Sequence, residues 1–65
     1  MQTTHEFVDG DYNVLLEQRA SGLFRVTYGA EIHDNLTYEK AAEQYGYFVF
    51  HSLAYAGKLS YDFKD

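Results

Sequence analysis

Leu23-Phe24-Arg25-Val26-Thr27-Tyr28-Gly29-Ala30-Glu31-Ile32 is the stretch that decides the fold class. Phe24, Val26, Tyr28, Ala30 and Ile32 fall on one face and Arg25, Thr27 and Glu31 on the other, the period of two of a half-buried strand. Upstream, Arg19-Ala20-Ser21-Gly22 has turn composition. Before it Tyr12, Val14 and Leu16 alternate with Asn13, Leu15 and Glu17, predicting a second strand with one apolar face. Asp9-Gly10 is a short hairpin signal, since both residues tolerate the positive φ of a tight I′ turn. It leads back to His5-Glu6-Phe7-Val8. The first half thus reads as an antiparallel meander of three strands.

Downstream the period changes. His33-Asp34-Asn35 is expected to break the strand, and Thr37 to cap a helix, with Lys40 where a capping box would place Glu. Glu39 lies in the first turn, where the helix dipole favours an anion. Tyr38, Ala41, Ala42 and Tyr45 follow helical spacing and predict a buried stripe. Gly46 either ends or kinks this helix. Residues 47–56 are apolar on nearly every side, as in a buried helix or one that needs a partner. Gly57 is placed as a C-terminal cap, with Lys58 favourable to the dipole. Leu59, Tyr61 and Phe63 then alternate with Ser60, Asp62 and Lys64, as a short edge strand or an ordered tail. The expected architecture is α+β in one domain spanning residues 1–65. A three-stranded antiparallel sheet, four-stranded if the C-terminal segment joins, packs against a C-terminal broken helical pair.

Composition narrows the function classes. The chain has no cysteine, so disulfide staples and thiolate zinc sites are excluded and a reducing compartment suits it. Met1-Gln2-Thr3-Thr4-His5-Glu6 lacks the features of a signal peptide. The longest mostly apolar run, residues 45–57, falls short of the roughly 20 residues that span a bilayer. A soluble cytoplasmic protein without a membrane partner is expected. Seven Tyr and five Phe are more rings than so small an interior hides. Some Tyr must therefore lie at the core margin or at an interface.

No catalytic constellation emerges. His5, His33 and His51 lack i, i+4 partners, and His33-Asp34 with His51 is the sole combination that would approach a metal set. There is no nucleophile elbow and no phosphate-cradling Gly-rich loop. The expectation is a non-enzyme with no cofactor and no metal. Ten Asp and Glu against five Lys and Arg give a net charge of −5, which directs attention to where the acids lie. Asp9 and Asp11 flank a turn glycine, Glu17 and Glu31 sit on outward strand positions, and Asp34 marks the strand end. Glu39 and Glu43, four apart on a helix, repel by a few tenths of a kcal/mol, roughly. A solvated face that maintains solubility would account for such charges. So would a carboxylate surface imitating the phosphates of nucleic acid, which duplex DNA presents at about one charge per 1.7 Å of axis. On the second reading Asp9, Asp11, Glu31, Asp34, Glu39 and Glu43 bind the partner, with Tyr38 and Tyr47 as aromatic anchors.

Leu36-Thr37-Tyr38-Glu39-Lys40-Ala41-Ala42-Glu43-Gln44-Tyr45-Gly46, with Leu53 and Gly57-Lys58-Leu59, resembles the excisionase-type helix-turn-helix over about a third of the chain. That resemblance implies a small DNA-binding regulator. It departs from the family at Phe48-Val49-Phe50-His51, where Ser, Thr and Arg would contact phosphates and bases. As a class, the small, acidic, Cys-free, Tyr-rich α+β chain resembles the phage-encoded anti-CRISPR proteins, the type I-C inhibitor group. This second resemblance implies stoichiometric binding to the Cascade surveillance complex in a bacterial cytoplasm and obstruction of its DNA-accepting surface, with no direct contact to nucleic acid. The chain itself would be a monomer or a weak homodimer. A homodimeric interaction module, joined through residues 47–56, is the third alternative.

Overall fold

In a computed structural model that describes residues 3–59, one long helix crosses one face of a four-stranded sheet. The order is β1 (Thr3–Phe7), β2 (Val14–Gln18), β3 (Phe24–Tyr28), β4 (Glu31–Leu36) and α1 (Tyr38–Tyr55). All neighbouring strands are antiparallel and the spatial order follows the chain. The alternation in β2 and β3 sets the two faces. The register places Val14 opposite Tyr28 and Leu16 opposite Val26, all toward α1, while Leu15–Thr27 and Glu17–Arg25 pair on the other face. Val14 and Val26 on the central strands, with Ala41 and Phe48 of the helix, form the fully enclosed core. Phe7, Leu16, Phe24, Tyr28, Leu36 and the helical Tyr45 and Val49 close around it. No helix among the described residues is long and apolar enough to cross a membrane.

The architecture is α+β, and the sheet has four strands, but the fourth is not where the C-terminal alternation put it. The long alternating stretch divides at Gly29-Ala30. Gly29 has φ +59° and Ala30 does not have positive φ, the pattern of a two-residue type II′ hairpin. The reversal changes the parity of the residues beyond it. Ile32 now pairs with Thr27 on the open face, 62% exposed, and Glu31 pairs with Tyr28 on the helix side. Of the proposed C-terminal strand, Leu59 lies outside any strand, and residues 60–65 lie outside the described residues. His33-Asp34-Asn35 does not break β4 either. Two residues there, Asp34 and Asn35, oppose the single Arg25, a bulge in which Asn35 takes φ +57°. Asn tolerates that left-handed backbone better than most residues.

The broken helical pair is replaced by one continuous helix of 18 residues. Gly46 neither ends nor kinks it. A helical glycine costs only about 1 kcal/mol relative to alanine, and here Ala41 and Tyr45 before it and Phe48 and Val49 after it pack on the sheet. The buried stripe is rotated from the expected one: Tyr38 and Ala42 are exposed. Both ends match their capping residues. Thr37 Oγ1 accepts the Lys40 N–H at 3.3 Å. At the far end the Lys58 N–H donates to Leu53 O and the Gly57 N–H to Ala54 O, with Gly57 at φ +76°, a Schellman cap.

Asp9-Gly10 does not form a tight turn. It belongs to a six-residue loop, 8–13, that leaves the sheet and lies on α1 at Ser52. Asp11 N–H donates to Ser52 O at 3.1 Å, and the buried Ser52 hydroxyl donates to Tyr12 O at 2.7 Å. Gly10 is required there for space. A Cβ on it would meet Ser52 Oγ, Ser52 Cβ and the Ser52 backbone carbon, at 1.8, 2.6 and 2.8 Å. A Cβ on Gly46 would meet nothing within 4 Å. The two glycines therefore respond oppositely to alanine. Gly10→Ala should lower unfolding stability by about 1–3 kcal/mol, an overpacking cost, and Gly46→Ala should raise it by about 0.5–1 kcal/mol. Urea unfolding followed by circular dichroism checks both; a destabilised Gly46→Ala would contradict the unbroken helix.

Candidate partner-binding surface

The eight residues singled out for partner binding separate into three groups. Glu39, Glu43 and Tyr47 share one flank of α1 at i, i+4, i+8, all exposed, the carboxylates about 6 Å apart along the axis. Lys40 is closer to Glu43 than its spacing to Glu39 suggests: its ammonium lies 3.7 Å from Glu43 Oε1 and offsets part of the repulsion. Glu31, at the start of β4, lies across from Tyr47. Of these four only Glu31 and Tyr47 share the groove. Tyr38 is 76% exposed at the start of the helix, edge-on to Phe24 at 6.2 Å between ring centres.

The remaining acids have structural partners. Asp34 sits in the β4 bulge on the open face of the sheet, 3.0 Å from the Arg25 guanidinium and 3.4 Å from that of Arg19. Arg25, helped by the Asn35 N–H, holds the Asp34 carboxyl below the usual carboxylate range. Asp9 is paired with Lys58 at 3.0 Å. Asp11 accepts from its neighbour's N–H at Tyr12 and from the Tyr28 hydroxyl at 3.0 Å, tying the 8–13 loop to β3. Lys58 therefore serves the loop as well as lying beyond the helix end.

Between β4 and the C-terminal half of α1 runs an open groove of about 390 Å³ that sequence reasoning did not identify. Tyr28, Glu31 and His33 line it from the sheet, and Tyr47, His51 and Tyr55 from the helix, over Phe48. The helical rings form a ladder, Tyr47 to His51 at 4.3 Å and His51 to Tyr55 at 5.4 Å. Phe48 stacks on Tyr28 at 5.0 Å and leans on His33 at 5.4 Å. His33 Nε2 lies 3.4 Å from Glu31 Oε1. The i, i+4, i+8 spacing of Tyr47, His51 and Tyr55 was visible in the sequence. That β4 would face it was not, because the Gly29-Ala30 reversal lies inside what reads as continuous strand. Among the described residues no three His, Asp or Glu side chains gather as a metal set.

Tyr28 joins the loop, the core and the groove, and its hydroxyl is perturbed accordingly. Burial, then the hydrogen bond to the Asp11 carboxylate, push its pKa up to about 12. Because the folded state holds this proton more tightly, Tyr28 contributes stability that is complete below the ordinary tyrosine range near 10. The contribution is lost as pH rises from there toward about 12. Absorbance titration of tyrosinate should show a late fraction that Tyr28→Phe removes. A wild-type curve identical to that of Tyr28→Phe, after allowance for one ring, would contradict the assignment.

No family model, characterised protein or solved structure matches the chain, so its functional reading rests on surface chemistry.

Proposed function

We propose that the chain is a stoichiometric inhibitor that binds a nucleic-acid-handling protein complex through an acidic surface and covers the basic groove that complex uses for DNA. The partner class is that of the CRISPR Cascade complex, as the resemblance to anti-CRISPR proteins implies. The observation that carries the reading is an asymmetry of charge compensation. Arg19, Arg25, Lys40 and Lys58, the Lys and Arg among the described residues, each lie within 4 Å of a carboxylate. The acids exceed them, and Glu39 and Glu31 face solvent with no Lys or Arg partner among the described residues. DNA binding draws most of its affinity from cations placed against phosphates. This surface has no uncommitted cation to offer among the described residues, and an excess of anions for a basic partner.

The excisionase-type reading also loses its geometry, because α1 passes through Gly46 without the turn that would present a second helix. The homodimer reading is favoured by one feature, Phe50, which is 68% exposed on the solvent side of α1. Sedimentation at several concentrations separates it from the inhibitor reading; a strict monomer eliminates it.

The inhibitor reading predicts that the affinity for purified Cascade falls as salt rises, since exposed charges are screened over about 8–10 Å at physiological ionic strength. Glu39→Lys with Glu43→Lys should weaken binding about tenfold or more, roughly 1.4 kcal/mol, with an unchanged circular dichroism spectrum. Binding that survives both high salt and the double substitution would remove the proposal.

A further inference from the structure

We infer that the groove between β4 and α1 is a cation cage that takes an arginine side chain of the basic partner. The inference deepens the inhibitor reading and rests on it for the identity of the partner, though not for the chemistry of the groove.

The lining selects the occupant. Aromatic faces attract a cation within about 6 Å of the ring centroid, and Tyr47 and Tyr55 stand along one wall, with Tyr28 and Phe48 toward the interior. No Lys or Arg lines the groove, and its one carboxylate is Glu31. That side chain is 64% exposed, and its contact to His33 uses Oε1. Oε2 has no hydrogen bond among the described residues, so the carboxylate can accept from an incoming donor while His33 stays in place. A guanidinium suits this combination better than an ammonium. It is planar and stacks on rings, and its forked N–H groups reach a carboxylate at the same time. The Gln44 side chain adds a neutral amide at the rim.

A nucleobase would also stack on such rings. Its phosphates, however, would meet Glu31 in the groove and Glu43 one helical turn from Tyr47, without a basic side chain to hold them. Charge complementarity therefore commits the site to a cation. Glu43, one helical turn from Tyr47 at the groove's edge, adds a second carboxylate for a basic protein surface, with the arginine as its inserted anchor.

The test uses the full chain in mildly alkaline buffer, where free imidazole is uncharged. Its aromatic and amide resonances are followed by NMR during titration with a short glycine-flanked arginine peptide. Parallel titrations use the lysine peptide, the isosteric but neutral citrulline peptide, and a single-stranded oligonucleotide. The arginine peptide should shift Tyr47, His51, Tyr55 and Glu31, with its own side-chain methylene protons moved upfield by the rings. The lysine peptide should bind a few-fold more weakly, roughly threefold, and citrulline at least about tenfold more weakly. Glu31→Gln and Tyr55→Leu, both at exposed positions, should each reduce arginine binding by about three- to tenfold without unfolding the domain. Citrulline binding as well as arginine, an oligonucleotide occupying the groove in its place, or shifts confined to Glu39 and Glu43 would each overturn the cage. The same variants separate this inference from the broader one. If Glu31→Gln and Tyr55→Leu leave Cascade binding intact while Glu39→Lys with Glu43→Lys abolishes it, the cage is wrong and the acidic docking stands. If arginine occupies the groove but Cascade is not bound, the cage stands and the partner is wrong.

Discussion

The seating of the 8–13 loop on Ser52 fixes how the helix lies on the sheet, and most of the molecule's surface chemistry depends on it. Gly10 brings the loop backbone into contact with the helix where no side chain would fit. Asp11 and Tyr12 then exchange hydrogen bonds with Ser52. The serine is fully buried, and a buried hydroxyl left without a partner costs about 1–3 kcal/mol. Its carbonyl accepts twice, from Asp11 and from Ala56 in the next turn, using both lone pairs. A serine in a helix interior is a mediocre helix former, so its presence there is explained by what it holds. Asp9 with Lys58 and Asp11 with Tyr28 fasten the loop on either side of this contact.

A helix held at that point has little rotational freedom. Ala41, Tyr45 and Phe48 must face the sheet and Ser52 the loop, and one residue of slippage would turn the helix by about 100°. With that stripe inward, Tyr47, His51 and Tyr55 come to the flank beside β4, while Glu39, Glu43 and Phe50 face water. Three roles recur among the aromatic side chains of the described residues. Phe48 and Tyr28 complete the core, the Tyr47–Tyr55 ladder makes a groove wall, and Phe50 is left without cover. Neither a purely interior nor a purely interfacial role for the rings describes this arrangement.

The parts of the fold legible in the sequence were those that short-range chemistry determines. Thr37 and Gly57 announced both helix ends, because capping is a property of a few consecutive residues. The alternations in β2 and in residues 24–28 assigned the inward faces correctly. The failures share a cause. Gly10 looked like a turn glycine because Asp-Gly is a good turn, yet its role is set by Ser52, 42 positions away. Gly46 looked like a helix end because its cost is local, whereas the packing that outweighs it comes from the sheet. Gly29-Ala30 lay inside an unbroken alternation, so the reversal left no signal in the apolar pattern and placed Ile32 on the wrong face. The acids were legible as charges but not as pairs. Asp34 has Arg25 beside it because the Gly29-Ala30 hairpin sets β4 in that register, which the unbroken alternation did not reveal.

That pairing changes what the net charge means. A chain at −5 is not uniformly negative, because its cations are concentrated where they neutralise particular acids: Asp34 on the open face of the sheet, and Asp9 near the helix end. The charge left without full compensation includes Glu31 in the groove, which has no Lys or Arg among the described residues, and Glu43 one helical turn from Tyr47, which Lys40 offsets only in part. Screening limits the field of these charges to about 8–10 Å in physiological salt. Such a field would attract a basic surface but give it little orientation at contact. Orientation has to come from shape, and the ring-lined groove supplies a concave feature. Charge from Glu31 and Glu43 and short-range aromatic geometry thus meet along the groove, whose helical wall is held by the packing of α1 on the sheet together with the loop contact at Ser52.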